Sequence, residues 1–270
     1  MKLPVLDGED QAGAETIEVA GGRATRRALD GFMSEHGPFD AVGHRVAHRG
    51  AEFTRPVPVD EQVIQRIEVL NSPVPLHQPG ALAGFLSVGN LLPDLPAVAC
   101  YGAAFNSTLP AAASTYAVPA RWREEWGLPG YRFHGLSHAH SSLRLHEMLG
   151  RGQGALILPV RCHLGAGTSL ATVREGTCVD TTMGFTPSEG LVMATRSGNV
   201  GPGLVLWLAQ YSGLSSNEIS SQLDHGSGLA GLGGTGDMRR VLDREAEGDQ
   251  GATLAVAVYK HRLVSLIGCK

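Results

Sequence analysis

"VRCHLGAGTSLATVREGTCVDTTMGFTPSEGLVMATRSG", Val160–Gly198, is the stretch on which the architecture turns. "SLATV" (169–173) is a short apolar run bounded by turn residues, and "ALILPV" (155–160) just before it has the same character, so both read as strands. Between them "HLGAG" (163–167) is a glycine turn. Such a turn can aim backbone N–H groups at a phosphate, because glycine has no Cβ to block close approach, but most such loops are plain tight hairpins. Arg196 follows as a lone cation amid small and apolar residues.

Working outward, "AVGHRVA" (41–47) and "AVACY" (97–101) are further strand-like runs. The segments 60–71, 137–150, 202–213 and 252–268 suit helices, and "SSNE" (215–218) has the form of a capping box. Strands and helices mixed in this order predict an α/β protein.

The 270 residues are 43% hydrophobic, enough to bury the core of one large domain or two modest ones. With 18% charged residues and a formal charge of -4, no basic field favours nucleic acid, and the expected partners are small molecules or further copies of the chain. The first residues, "MKLPVLDGEDQAGAE", do not form a secretory signal and no apolar run is long enough to span a bilayer, so a cytoplasmic location is expected. Cys100, Cys162, Cys178 and Cys269 have no metal-ligand spacing and are expected to be buried free thiols.

Strand alternation over 41–47 places Val46 on one face and Arg45 with Ala47 on the other, which sets a cation beside a small apolar residue. His44 and His48, and His134 and His138, are each four apart, the helical spacing of a metal pair. Neither pair has the glutamate of HExxH, and in a strand the first pair would be about 13 Å apart. A histidine metal site is therefore the weaker reading, and no metal ligands are assigned.

The order of motifs goes further than any one of them. "VGHRVAHRGAEFT", "PLHQPGAL", "YRFHGLSHAH", "CHLGAGTS", "VDTTMGFTPSEGLVMATRSG" and "SGLAGLGGTGDMR" together resemble the acetate kinase family of acetate, propionate and butyrate kinases, over roughly residues 24 to 268. The resemblance implies the two-domain fold of the acetate and sugar kinase, heat-shock ATPase and actin superfamily, here with partial α/β domains over 1–105 and 106–270. It implies phosphoryl transfer from ATP, with Mg2+, to a short-chain carboxylate such as acetate or propionate, and a homodimer.

Position by position, the resemblance assigns His134 and Arg196 to the transferring phosphoryl group and Arg45 to the substrate carboxylate. His77 matches a further histidine of the site. Ala47, Leu76, Phe133 and Pro187 match the acyl pocket, where Ala47 stands in place of a valine and leaves room for a longer chain. His163, Gly165 and Gly167 match the phosphate loop. Two departures bear on catalysis: Gly102 stands where the family has an aspartate, and Ala166 where it has an asparagine. Neither can supply the missing carboxylate or amide donor. The "NAGSSSLK"-like and "GIGEN"-like segments of the family are not matched, so the fold is expected to be incomplete at both ends. These departures imply impaired catalysis, and the alternative they raise is a non-catalytic anion- or nucleotide-binding homologue or a gene remnant.

Overall fold

The computed structural model describes residues 2–8, 10–16, 19–20, 23–24, 26–46, 53–69, 78–126, 128, 132–150 and 159–270. Of the residues singled out above, Ala47, His48, Leu76 and His77 lie outside the described residues, as do 155–158. The chain forms two compact units, Met1–Ala104 and Phe105–Lys270.

In the first unit, β1 (Lys2–Asp7) pairs with β2 (Asp10–Thr16), and β3 (Val19–Ala20) with β4 (Arg23–Ala24), as antiparallel hairpins. Then come α1 (Arg26–His36), β5 (Val42–Val46), β6 (Val57–Pro58), α2 (Glu61–Val69), α3 (Gln78–Leu91) and β7 (Ala97–Tyr101). β7 is central, parallel to β5 and antiparallel to β6. A parallel pair needs a long crossover, and α2 and α3 lie in the chain between its strands.

The expected alternation holds on β5, where Val46 is buried while Arg45 is exposed on the other face. Val63 and Ile67, four apart on α2, join Val46, Phe53, Phe85, Ala99 and Tyr101 in one core. The helix starts at Glu61 because Asp60 caps it, its Oδ1 accepting from the Val63 amide at 2.8 Å.

The chain passes into the second unit through a 3-10 turn, Ala104–Thr108. It continues through α4 (Ala111–Ser114), α5 (Ala120–Trp126), α6 (Gly135–Met148), β8 (Val160–Leu164), β9 (Thr168–Arg174) and β10 (Thr177–Thr181). Five helices follow: α7 (Pro202–Tyr211), α8 (Ser216–His225), α9 (Gly228–Gly233), α10 (Met238–Ala246) and α11 (Gln250–Gly268). β9 is the middle strand of an antiparallel sheet, and its residues Thr168–Val173 are buried on both faces. Glu175 and Gly176 join it to β10 with φ of 51° and 76°, the two positive values of a type I′ hairpin turn.

Of the strand expected at 155–160, residues 155–158 lie outside the described residues; Val160 begins β8, and the Pro159 carbonyl accepts from the Val173 amide. One expectation changes: the thiols do not share one buried environment, since Cys178 is buried, Cys100 half-buried, and Cys162 and Cys269 are exposed, the last at the end of α11. The capping box is present as expected, with Ser215 and Glu218 each accepting from the other's amide. Among the described residues, no helix is long and apolar enough to cross a membrane.

Candidate active site

His134 is the N-cap of α6 and has a left-handed backbone, φ 61°, two residues after Arg132 at φ 53°. Left-handed conformations are unfavourable for such side chains and persist only where the surroundings hold them. Here Asn106 is one restraint. Its Nδ2 donates to the carbonyls of Arg132 at 2.8 Å and Phe133 at 3.4 Å, and Phe133 itself is buried against Met183 and Met193. The strained turn thus fixes where the His134 ring goes.

It goes to the β8–β9 turn. A Cβ built on Gly167 would lie 3.1 and 3.2 Å from Cε1 and Nε2 of His134 and 3.5 Å from Nη1 of Arg196. His163, at the end of β8, stacks on His134 with ring centroids 4.0 Å apart, and its Nδ1 lies 2.8 Å from Ser137 Oγ. Gly165 lies beside His163 Nε2, 3.5 Å from its own absent Cβ. A bare glycine surface flanked by an arginine and two imidazoles forms a cradle whose donors suit an anion.

The Arg196 segment is tied to this turn and to the helices behind it. The Ala194 amide donates to the Ala166 carbonyl, and Met193 and Ala194 accept from the amides of Leu229 and Ala230 at the start of α9. The turn itself is a tight hairpin, in which the Gly165 amide donates to the Gly167 carbonyl at 3.0 Å. The polar groups facing the cradle are therefore side chains rather than that amide. Of the other assigned residues, Pro187 is half-buried in the loop after β10, and Arg45 lies at the end of β5 in the first unit, paired in register with Cys100. Gly102 follows β7, its amide donating to the Val46 carbonyl.

Behind the cradle sits a buried polar cluster that sequence reasoning missed. Ser169 Oγ, on β9, lies 2.9 Å from His134 Nδ1 and 2.9 Å from His138 Nε2. The histidine pair spaced for a metal instead shares a serine hydroxyl. Burial, then the neighbouring His163 and Arg161, push His138 down to about 4. The sign follows from linkage: the unfolded chain takes up a proton below its ordinary value of 6.5 and the folded chain does not, so this contribution is complete above 6.5 and lost as pH falls through 4. The gap corresponds to about 3 kcal/mol. Urea midpoints at pH 7 and pH 4.5 are expected to fall much less for His138→Phe than for the wild type, and equal falls would contradict the assignment.

The donor set around Gly167 fits a phosphate. It does not fit Mg2+, since the carboxylates nearby in sequence are engaged elsewhere: Glu189 with the Tyr116 hydroxyl and the Phe185 amide, and Asp180 with Lys270. Among the described residues, the one group of three side chains able to reach a single metal is Glu15, Glu35 and His36, in the first unit.

Comparison with known proteins fixes the class first. A propionate kinase from Francisella tularensis superimposes with a TM-score of 0.85 and 33% identity, over 90% of this chain and 63% of that one. An acetate kinase from Porphyromonas gingivalis gives 0.84 and 34%, over 90% and 64%. This is the two-domain fold of the actin-like ATPases. The Acetokinase family model matches residues 15–270, and the chain belongs to that family. An acetate kinase from Streptomyces avermitilis is 43% identical over 245 residues, 91% of this chain, and the chain spans 60% of that relative's length.

Proposed function

We propose that this chain transfers a phosphoryl group between ATP and a short-chain carboxylate such as acetate or propionate. The observation that supports this reading best is the convergence of His134 and Arg196 on the bare Gly167 surface. When bound, ATP would supply the phosphoryl group. Arg196 Nη1 and His134 Nε2 hold phosphoryl oxygens as their charge develops, and His163, stacked on His134, keeps that ring from tilting. Arg45, exposed on its strand in the first unit, is the cation that the family resemblance gives to the substrate carboxylate.

Transfer is slowed by two side chains. Gly102 brings no carboxylate to the position after β7, and Ala166 brings no amide to the turn. Loss of one preorganised group costs about 10²–10³ in rate. A hydroxamate assay with ATP, Mg2+ and acetate or propionate is expected to give turnover at least about 100-fold below that of an acetate kinase from the same family. Gly102→Asp combined with Ala166→Asn is expected to raise it at least about tenfold. Full family rates in the unmodified chain would contradict the impairment. Anion binding with no turnover in either protein would favour the non-catalytic reading.

We also propose a homodimer, supported by α7. None of its residues is buried, and Leu204, Trp207 and Tyr211, at positions i, i+3 and i+7, are more than half exposed on one face. An apolar face of this kind favours self-association. Sedimentation of wild type and a Leu204→Lys, Trp207→Lys double variant is expected to show association in the first and a monomer in the second. A monomeric wild type would remove the proposal.

A further inference from the structure

Ser169 Oγ is fully buried, and the structure records two side-chain partners for it, His134 Nδ1 and His138 Nε2, both at 2.9 Å. A hydroxyl has one proton to give, and a buried O–H that donates to nothing is costly. The proton therefore goes to one of the two rings, and the other ring donates to the oxygen. A neutral imidazole carries one N–H, so the choice at Ser169 sets both tautomers together. If His138 Nε2–H donates to Ser169 and Ser169 donates to His134 Nδ1, both rings carry their proton on Nε2. If the chain runs the other way, both carry it on Nδ1. Mixed tautomers would leave either two ring lone pairs competing for the one hydroxyl proton, or two N–H donors on the oxygen and a buried O–H that donates to neither ring.

We propose that Ser169 and His138 are positioning residues for His134, holding it as the Nε2–H tautomer so that a proton rather than a lone pair faces Gly167 and Arg196. The direction of the relay rests on the phosphoryl-binding reading of that surface, because an anion beside Arg196 Nη1 needs a donor from His134. The coupling of the two rings rests only on the hydroxyl geometry. His138 suits the role because it is 1% exposed, with burial keeping it neutral at the pH where the site works. The left-handed turn at His134 contributes by bringing the first ring to the serine, while the second reaches it from one helical turn further on. This gives the His-x-x-x-His spacing, suited to a metal pair, a different use: one ring faces the ligand and the other sets its proton.

The test is the nitrogen spectrum of the folded wild-type chain labelled with 15N-histidine, at pH 8, the two rings assigned with His134→Asn and His138→Phe. Both rings are expected to show a protonated, pyrrole-type Nε2 and an unprotonated Nδ1. His134 protonated on Nδ1, or the two rings in different tautomers, would overturn the proposal whether or not the chain turns over. Ser169→Ala is expected to shift His134 to a mixture of tautomers and to weaken pyrophosphate binding about tenfold, while Ser169→Thr, which keeps the hydroxyl, restores the single tautomer. An unchanged His134 spectrum in Ser169→Ala would also overturn the relay. If Ser169→Ala fails to fold, the wild-type spectrum decides alone. Absence of phosphoryl transfer would remove the proposed function but leave this spectrum as predicted for coupled rings.

Discussion

Gly228→Ala is expected to lower the stability of the chain by about 3–5 kcal/mol and to disrupt the Arg196 segment with it. Gly228 has φ +63°, and a Cβ there would overlap the Met193 carbonyl oxygen, lying 2.7 Å from the Arg196 carbonyl oxygen and 3.0 Å from its amide nitrogen. Those are backbone atoms and cannot rotate aside. The left-handed conformation alone costs about 1–2 kcal/mol with a side chain, and relieving the overlap moves the loop that accepts from Leu229 and Ala230. Gly203→Ala is the control. That glycine lies in α7 with nothing within 4 Å of its absent Cβ, so alanine is expected to stabilise the helix by about 0.5–1 kcal/mol. Urea midpoints for the two variants should move in opposite directions, and a Gly228→Ala midpoint within error of wild type would refute the packing described for this loop.

Arg196→Ala is expected to cost about 10³ in turnover and to abolish measurable phosphate-type anion binding, with little change in the urea midpoint. Arg196 is half-buried, and its recorded side-chain contact is a weak one, Nη1 to the Met193 sulfur at 3.8 Å, so removing the guanidinium takes charge from the cradle without opening the core. Arg196→Lys is expected to recover a small part of the loss, because an ammonium is a point donor and cannot grip two phosphoryl oxygens in a plane. A stability loss as large as that of Gly228→Ala would make Arg196 a structural residue instead.

Much of the fold is written locally. Period-two alternation marks β5, with Val46 inward and Arg45 outward, and the i, i+4 pair Val63 and Ile67 marks the inner face of α2. Ser215 and Glu218 announce the start of α8 three residues apart. The site was legible only where it coincided with a motif. His163 and the glycines of the turn could be named, but not that the Gly165 amide closes the hairpin on itself, because sequence does not tell a phosphate loop from a tight turn. Ser169 and Asn106 carried no signal at all. One is an ordinary strand residue, and the other acts on a turn 26 residues away, where Arg132 and His134 take backbone conformations that local propensity argues against. The His134–His138 spacing was visible, yet its partner is a serine 35 and 31 residues downstream, a contact made only by packing α6 on the sheet.

The cradle around Gly167 is proposed to serve phosphoryl transfer. Phosphorus-31 NMR of the chain with acetyl phosphate, ADP and Mg2+ tests it most directly, since the γ-phosphate signal of ATP reports the transferred group itself. Slow ATP formation above the protein-free control is expected, at least about 100-fold below an acetate kinase of the family, with its loss in Arg196→Ala. No ATP signal above the control, or a signal that Arg196→Ala leaves unchanged, would contradict it.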